Sequence, residues 1–251
     1  MKIHFALPCH LALLPMSPPV IAQTSPALCQ ARSGALRTPV IELYTSEGCS
    51  SCPPADQWLS SLKPLADKGQ VVAQAFHVGY WDYIGWTDRF ASPAHTIRQR
   101  QLAAQNRLTG IYTPQVVRDG RDWRNWHAGT LRLALPGADV AKASIAIKQI
   151  GPDHFEATVA TVEPGAARWA AYWTVTEHGH ASRVSSGENR GEHLLHDFVV
   201  RQYTPVGDYK GAATLTLRTG PAHPMHPRQI NLVVFDAANG QPLQALACTA
   251  P

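Results

Sequence analysis

Val40-Ile41-Glu42-Leu43-Tyr44-Thr45-Ser46-Glu47-Gly48-Cys49-Ser50-Ser51-Cys52-Pro53-Pro54-Ala55-Asp56 is the stretch on which the reading of this chain turns. The run from Pro39 through Tyr44 is short and largely apolar, as a strand is, and Thr45-Ser46-Glu47-Gly48 breaks it. Beyond the cysteines, Ala55, Trp58, Leu59 and Leu62 recur at helical spacing, with Lys63-Pro64 and Lys68-Gly69 as stop signals. Cys49 and Cys52 therefore stand where a strand gives way to a helix. Two cysteines so spaced are close enough for a small-ring disulfide, and the helix dipole favours a thiolate at the first. Cys49 is predicted as the nucleophile of thiol–disulfide exchange and Cys52 as the resolving thiol. Ser50-Ser51 between them and Pro53-Pro54 after them imply a first helical turn that starts after Cys52 or is kinked.

Working outward, residues 71–78 form a second apolar run, suited to a strand covered on both faces. Gly79-Tyr80-Trp81-Asp82-Tyr83-Ile84-Gly85-Trp86 carries four aromatics and too many glycines for regular structure. Ser92 caps a helix with Pro93 at its first position, predicted to run to Leu108 before Gly110. A strand then enters through Thr113-Pro114 and closes at the hairpin turn Asp119-Gly120. Strand, helix, strand, helix, strand, hairpin describes a small α/β domain of thioredoxin-like order. In that topology the bond before Pro114 is expected to be cis and to face the cysteines, leaving neighbouring backbone free for an extended substrate. Tyr80, Trp81 and Trp86 are candidates to wall the cysteine site and contact a client; alternatively the cluster fills the loop's own small core.

From about Ala138 the period changes to two: Ile145 and Ile147, then Phe155, Ala157 and Val159, then Trp169, Ala171, Trp173 and Val175 alternate with mostly polar neighbours. Runs at 194–202, 214–218 and 230–235 continue the pattern, and Asn239-Gly240 marks a hairpin. The expected fold is α/β: a thioredoxin-like domain at residues 23–137 followed by an antiparallel β-sandwich domain at 138–251.

Residues 1–22 have the form of a secretory signal: Lys2, an apolar stretch through Leu14, and Val20-Ile21-Ala22 as a cleavage site. The expected location is periplasmic or secreted, and no later run is long and apolar enough to span a bilayer. The formal charge of the 251 residues is +4, with basic residues scattered, which excludes the electrostatic footprint of a nucleic-acid binder. Cys9 would leave with the leader. Of the four remaining cysteines, Cys29 and Cys248 read as a structural disulfide stapling the ends, worth about 4–5 kcal/mol by chain entropy; the other reading is two unrelated thiols. Zinc sites also use a Cys-x-x-Cys spacing, but no second ligand pair accompanies this one. His193-x-x-His196 and His223-x-x-His226 read as loop or strand-face residues of the second domain, so no metal site is expected, and no cofactor.

Several stretches together resemble a known family. The opening segment, Phe76-His77-Val78-Gly79-Tyr80-Trp81-Asp82-Tyr83-Ile84-Gly85-Trp86, Phe90-Ala91-Ser92-Pro93, Arg98-Gln99-Arg100, Tyr112-Thr113-Pro114-Gln115, Gly187-Glu188-Asn189-Arg190-Gly191 and 195–201 are similar to the secreted bacterial domain-of-unknown-function family 1223. That resemblance implies a thioredoxin-like fold and an exported address, and no established activity. Gly79 stands where the family's motif is expected to carry Asp.

The function expected from the residues is thiol–disulfide exchange with protein thiols or disulfides, refreshed by an unidentified redox partner. Two alternatives are Cu(I) handling by the same cysteines and a non-catalytic binding module. His77 reads as a core histidine, Glu47 as a solvated loop acid or a proton shuttle, and Arg98 and Arg100 as solvated helix residues.

Overall fold

The computed structural model describes residues 1, 29–128, 139–161 and 168–250. Beyond Met1, the leader predicted at 1–22 lies outside the described residues, as does the predicted junction at 137–138. The chain is mixed α/β with strands predominating. The strands are β1 (Gln30–Arg32), β2 (Val40–Thr45), β3 (Val72–His77), β4 (Gln115–Arg118), β5 (Arg121–Asp122), β6 (Ala143–Gly151), β7 (His154–Thr161), β8 (Trp169–Glu177), β9 (His180–Arg183), β10 (His193–His196), β11 (Val199–Tyr209), β12 (Ala213–Arg218), β13 (Arg228–Asp236) and β14 (Pro242–Ala250). The helices are α1 (Pro53–Ser60), α2 (Lys63–Ala66) and α3 (Pro93–Gln105).

Every residue of β2 and β3 is buried, because the strands pair in parallel from Val40↔Val72 to Thr45↔His77 and both faces are covered. On one face Ile41, Leu43, Ala73 and Ala75 meet Ala55, Leu59 and Leu62 of the segment containing α1. On the other, Tyr44 and Phe76 meet Leu102 of α3. The Ser92 hydroxyl accepts from the Ala94 N–H and Pro93 starts α3, as the capping pattern requires. α3 ends at Gln105, three residues before the expected Leu108, and Arg107 turns the chain at positive φ. Pro64, read as a stop, instead lies in the first turn of α2, where a missing N–H costs no helical hydrogen bond. The Asp119-Gly120 hairpin has positive φ at both central residues.

One eight-stranded sheet, ordered β14-β13-β8-β11-β3-β2-β4-β5, carries strands from before and after the change of period. The seam is narrow: β11 runs parallel to β3 at Val199↔Ala75, where the Ala75 N–H donates to the Phe198 carbonyl at 2.8 Å. A four-stranded sheet, β1-β6-β7-β12, packs Ile145, Ile147, Phe155 and Leu215 onto Trp169, Trp173, Ile230 and Leu232 of the large sheet. Each such side chain withdrawn from water is worth about 1.5–3 kcal/mol.

Along β8 the apolar alternation is present, but its polar members are buried as well. Tyr172 Oη donates to Glu42 Oε1 at 2.9 Å, and Thr174 Oγ1 donates to Gln74 Oε1 at 2.6 Å. Arg98, expected in solvent, is buried here: its Nε donates to Glu42 Oε2 at 2.9 Å and its guanidinium lies 4.0 Å over the Tyr172 ring. The polar face of β8 and the helix cation solvate each other.

Candidate functional site

Cys49 and Cys52 are joined by a disulfide, with Cα atoms 5.4 Å apart. The strand-to-helix turn places them: the Cys49 N–H donates to Ser46 O, the Cys52 N–H to Cys49 O, and Cys52 is the N-cap residue of α1. Pro53 and Pro54 occupy the first two helical positions and so remove two of the free N–H donors a helix start normally offers. Both cysteines are buried, at 1% and 0% exposure, although Ser50 and Ser51 between them face solvent. Cys49 Sγ lies 3.4 Å from Ser51 Oγ. Cys29 and Cys248 form a second disulfide, which ties the segment before β1 to β14 beside the apolar layer.

Two loops cover the Cys49–Cys52 pair. The first is the aromatic segment 79–88. Trp81 Nε1 donates to Thr113 Oγ1 at 2.7 Å, and the Thr113-Pro114 bond is cis. A Cβ on Gly48 would lie 3.0 Å from Trp81 Cβ and 3.4 Å from its carbonyl oxygen, so a side chain there would press on Trp81. Trp86 Nε1 donates to Glu47 Oε2 at 2.8 Å. Tyr80 turns the other way, into the cluster of Tyr44, Phe76 and Leu102, while Tyr83 is exposed. Of the aromatic candidates, Trp81 and Trp86 contact Gly48 and Glu47 of the cysteine turn, and Tyr80 packs beside Trp81.

The second loop, 184–192, connects β9 to β10. Asn189 Nδ2 donates to the carbonyls of Glu47 and Cys49 at 2.8 and 3.0 Å, and Glu188 Oε2 accepts from the Ser50 N–H at 3.2 Å. Gly187 has φ +75° and rests against Ile84 and Trp86, so the two loops lock together. Residues far beyond the first α/β segment complete the site.

Beneath the turn lies a buried polar cluster. Glu47, read as a solvated acid or proton shuttle, is fully buried, and His196 Nε2 stands 3.3 Å from its Oε1. On the other side His196 Nδ1 lies 3.8 Å from Asp56 Oδ1, whose partner oxygen accepts from Thr45 Oγ1. Burial raises the Glu47 carboxyl, but His196, Ser182 and Trp86 outweigh it and hold the group below its usual value. Burial likewise lowers the His196 imidazole, yet Asp56 and Glu47 push it up to about 9. His77 Nδ1 pairs with Asp88 Oδ2 at 2.7 Å; against the desolvation of burial, that pairing and the N–H groups of Glu47 and Phe90 hold Asp88 at about 2.

His196 was expected on a loop or strand face of a separate domain, apart from any shared site. It reaches this cluster because β10 crosses against α1 and sets its ring 4.9 Å from that of His77. Asp56, Asp88 and Asn189 gave no separate signal in sequence: each is a common polar residue whose role depends on partners up to 142 residues away.

A model of the family described as protein of unknown function (DUF1223) matches residues 40–235. No curated protein matches the chain. Among solved structures, a crystal structure of an Agrobacterium tumefaciens protein superposes with TM-score 0.64 at 25% identity, over 87% of this chain and 97% of that one. HBP35 of Porphyromonas gingivalis superposes with TM-score 0.62 at 13% identity, over 85% and 75%. With the family match running from the start of β2 to Phe235 in β13 and taking in both loops at the cysteine turn, the chain belongs to the DUF1223 family.

Proposed function

We propose that the protein is an exported thiol–disulfide oxidoreductase with a thioredoxin-like core, acting through Cys49 and Cys52. The observation that carries this reading is the disulfide at the N-cap of α1, linked through the Trp81 side chain to Thr113 of the cis Thr113-Pro114 bond. Two disulfides and the signal-like residues 1–22 support an oxidising compartment. In the exchange, a client thiolate attacks Cys49 Sγ and displaces the Cys52 thiolate, giving a mixed disulfide. A second client thiolate attacks the client sulfur of that bond and releases Cys49. Two electrons and two protons pass from the client dithiol to the Cys49–Cys52 pair, and a partner protein disulfide restores it. Since both cysteines are buried and both loops pack on their turn, displacement of Trp81 or of the 184–192 loop is the opening step of this proposal.

Equilibration with glutathione buffers tests the assignment. A native-state reduction potential of about −120 to −270 mV, with Cys52→Ser trapping clients as mixed disulfides, is the expected result. A pair that stays oxidised until the protein unfolds would be a structural clasp and would overturn it. Tight Cu(I) uptake by the reduced pair without client trapping would move the assignment to copper handling.

A further inference from the structure

We propose that Asp56, His77 and His196 form a binding site for a divalent transition ion of the zinc class, separate from the Cys49–Cys52 pair. The three residues come from α1, β3 and β10, and one ligand atom from each lies within 4.8 Å of the others. All three are buried.

His77 is held as a metal-binding histidine is held. Its Nδ1 pairs with Asp88, whose carboxylate is itself fixed by the N–H groups of Glu47 and Phe90. Nε2 is then the free end of the ring; it is buried and has no hydrogen-bond partner. A carboxylate behind the far nitrogen sets ring orientation and raises ligand basicity. His196 is the second imidazole, and neither of its buried nitrogens makes an aligned hydrogen bond. Asp56 has one oxygen engaged by Thr45 Oγ1, which leaves Oδ1 turned toward His196. Two imidazoles and a carboxylate suit Zn²⁺ and its neighbours in the first transition row. Phe90 packs edge-on against both imidazoles. The cysteines contribute nothing to this donor set while they remain a disulfide.

The test uses the oxidised full chain, stripped with a chelator and titrated with Zn²⁺ against a chromophoric competitor. One equivalent should bind, raise the melting temperature, and show nitrogen and oxygen scattering without sulfur in X-ray absorption. His77→Asn should abolish uptake. Asp88→Asn, which keeps all the proposed ligands, should weaken it by about 10–100-fold and guards against a His77 variant that does not fold. Absence of uptake by the oxidised wild type, unchanged affinity in Asp88→Asn, or binding that appears only after reduction and shows sulfur ligands would overturn the proposal.

Discussion

The indole of Trp81 donates to the hydroxyl of Thr113 at 2.7 Å, and the Cβ of the same tryptophan passes beside Gly48. One side chain thus spans from the residue before Cys49 to the residue before Pro114, next to the turn that holds the buried disulfide.

Trp81→Phe keeps the ring but loses the donor. If a single hydrogen bond holds the closed form by about 1 kcal/mol, reduction of Cys49–Cys52 by a small thiol should speed up roughly fivefold, with little change in stability. Stopped-flow measurement of pair reduction gives the rate, and an unchanged rate would show that the indole does not control access. Gly48→Ala should act in the same direction, because the added methyl must push Trp81 away.

Cys29 and Cys248 close a loop with a sequence separation of 219. Replacing both with Ser should lower unfolding stability by about 5 kcal/mol in the chain-entropy picture, and leave the reduction potential of Cys49–Cys52 unaltered. Urea unfolding of the double variant measures the first and glutathione equilibration the second. A shifted potential would mean that the staple and the cysteine turn are coupled.

Arg98 and Glu42 are a buried pair, bonded through two guanidinium nitrogens and further satisfied by the hydroxyl groups of Tyr44 and Tyr172. Arg98→Ala should destabilise by about 3–5 kcal/mol, since it strands the Glu42 carboxylate out of water. Arg98→Met with Glu42→Gln should recover much of the loss. Both are read from denaturant midpoints, and a near-neutral Arg98→Ala would show that water solvates Glu42 there.

His95 is buried, which lowers its imidazole to about 4 even though Nδ1 donates to the His77 carbonyl. Between pH 6.5 and 4 the unfolded chain protonates this residue and the native chain does not, so stability falls as pH drops through that window and levels off below it. The full effect is on the order of 3 kcal/mol. His95→Gln should flatten this part of the stability profile relative to wild type. Equal slopes in the two proteins would show that His95 charges in the folded state.

How much was legible in the sequence follows the range of the interactions. Val40 to Tyr44, the Ser92-Pro93 cap, the Asp119-Gly120 turn and the alternation in β6, β7 and β8 depend on neighbours a few residues away, so they could be read in advance. Arg98 reads from sequence as solvated, and Glu47 as a solvated acid or a proton shuttle, because charged residues with no local partner usually face water. Their partners, Glu42 for one and His196 for the other, lie 56 and 149 residues away in the chain.

The sequence alone determined that this protein has a cysteine pair at a strand-to-helix junction, an aromatic loop after the second strand, and a β-rich second half, because propensity, capping and periodicity act over a few residues. Only the tertiary structure decided that β11 joins both halves in one sheet, that 184–192 closes over Cys49, and that Asp56, His77 and His196 converge. Those are consequences of strand crossing and of the need to pair buried charge, and no short window of residues contains both partners.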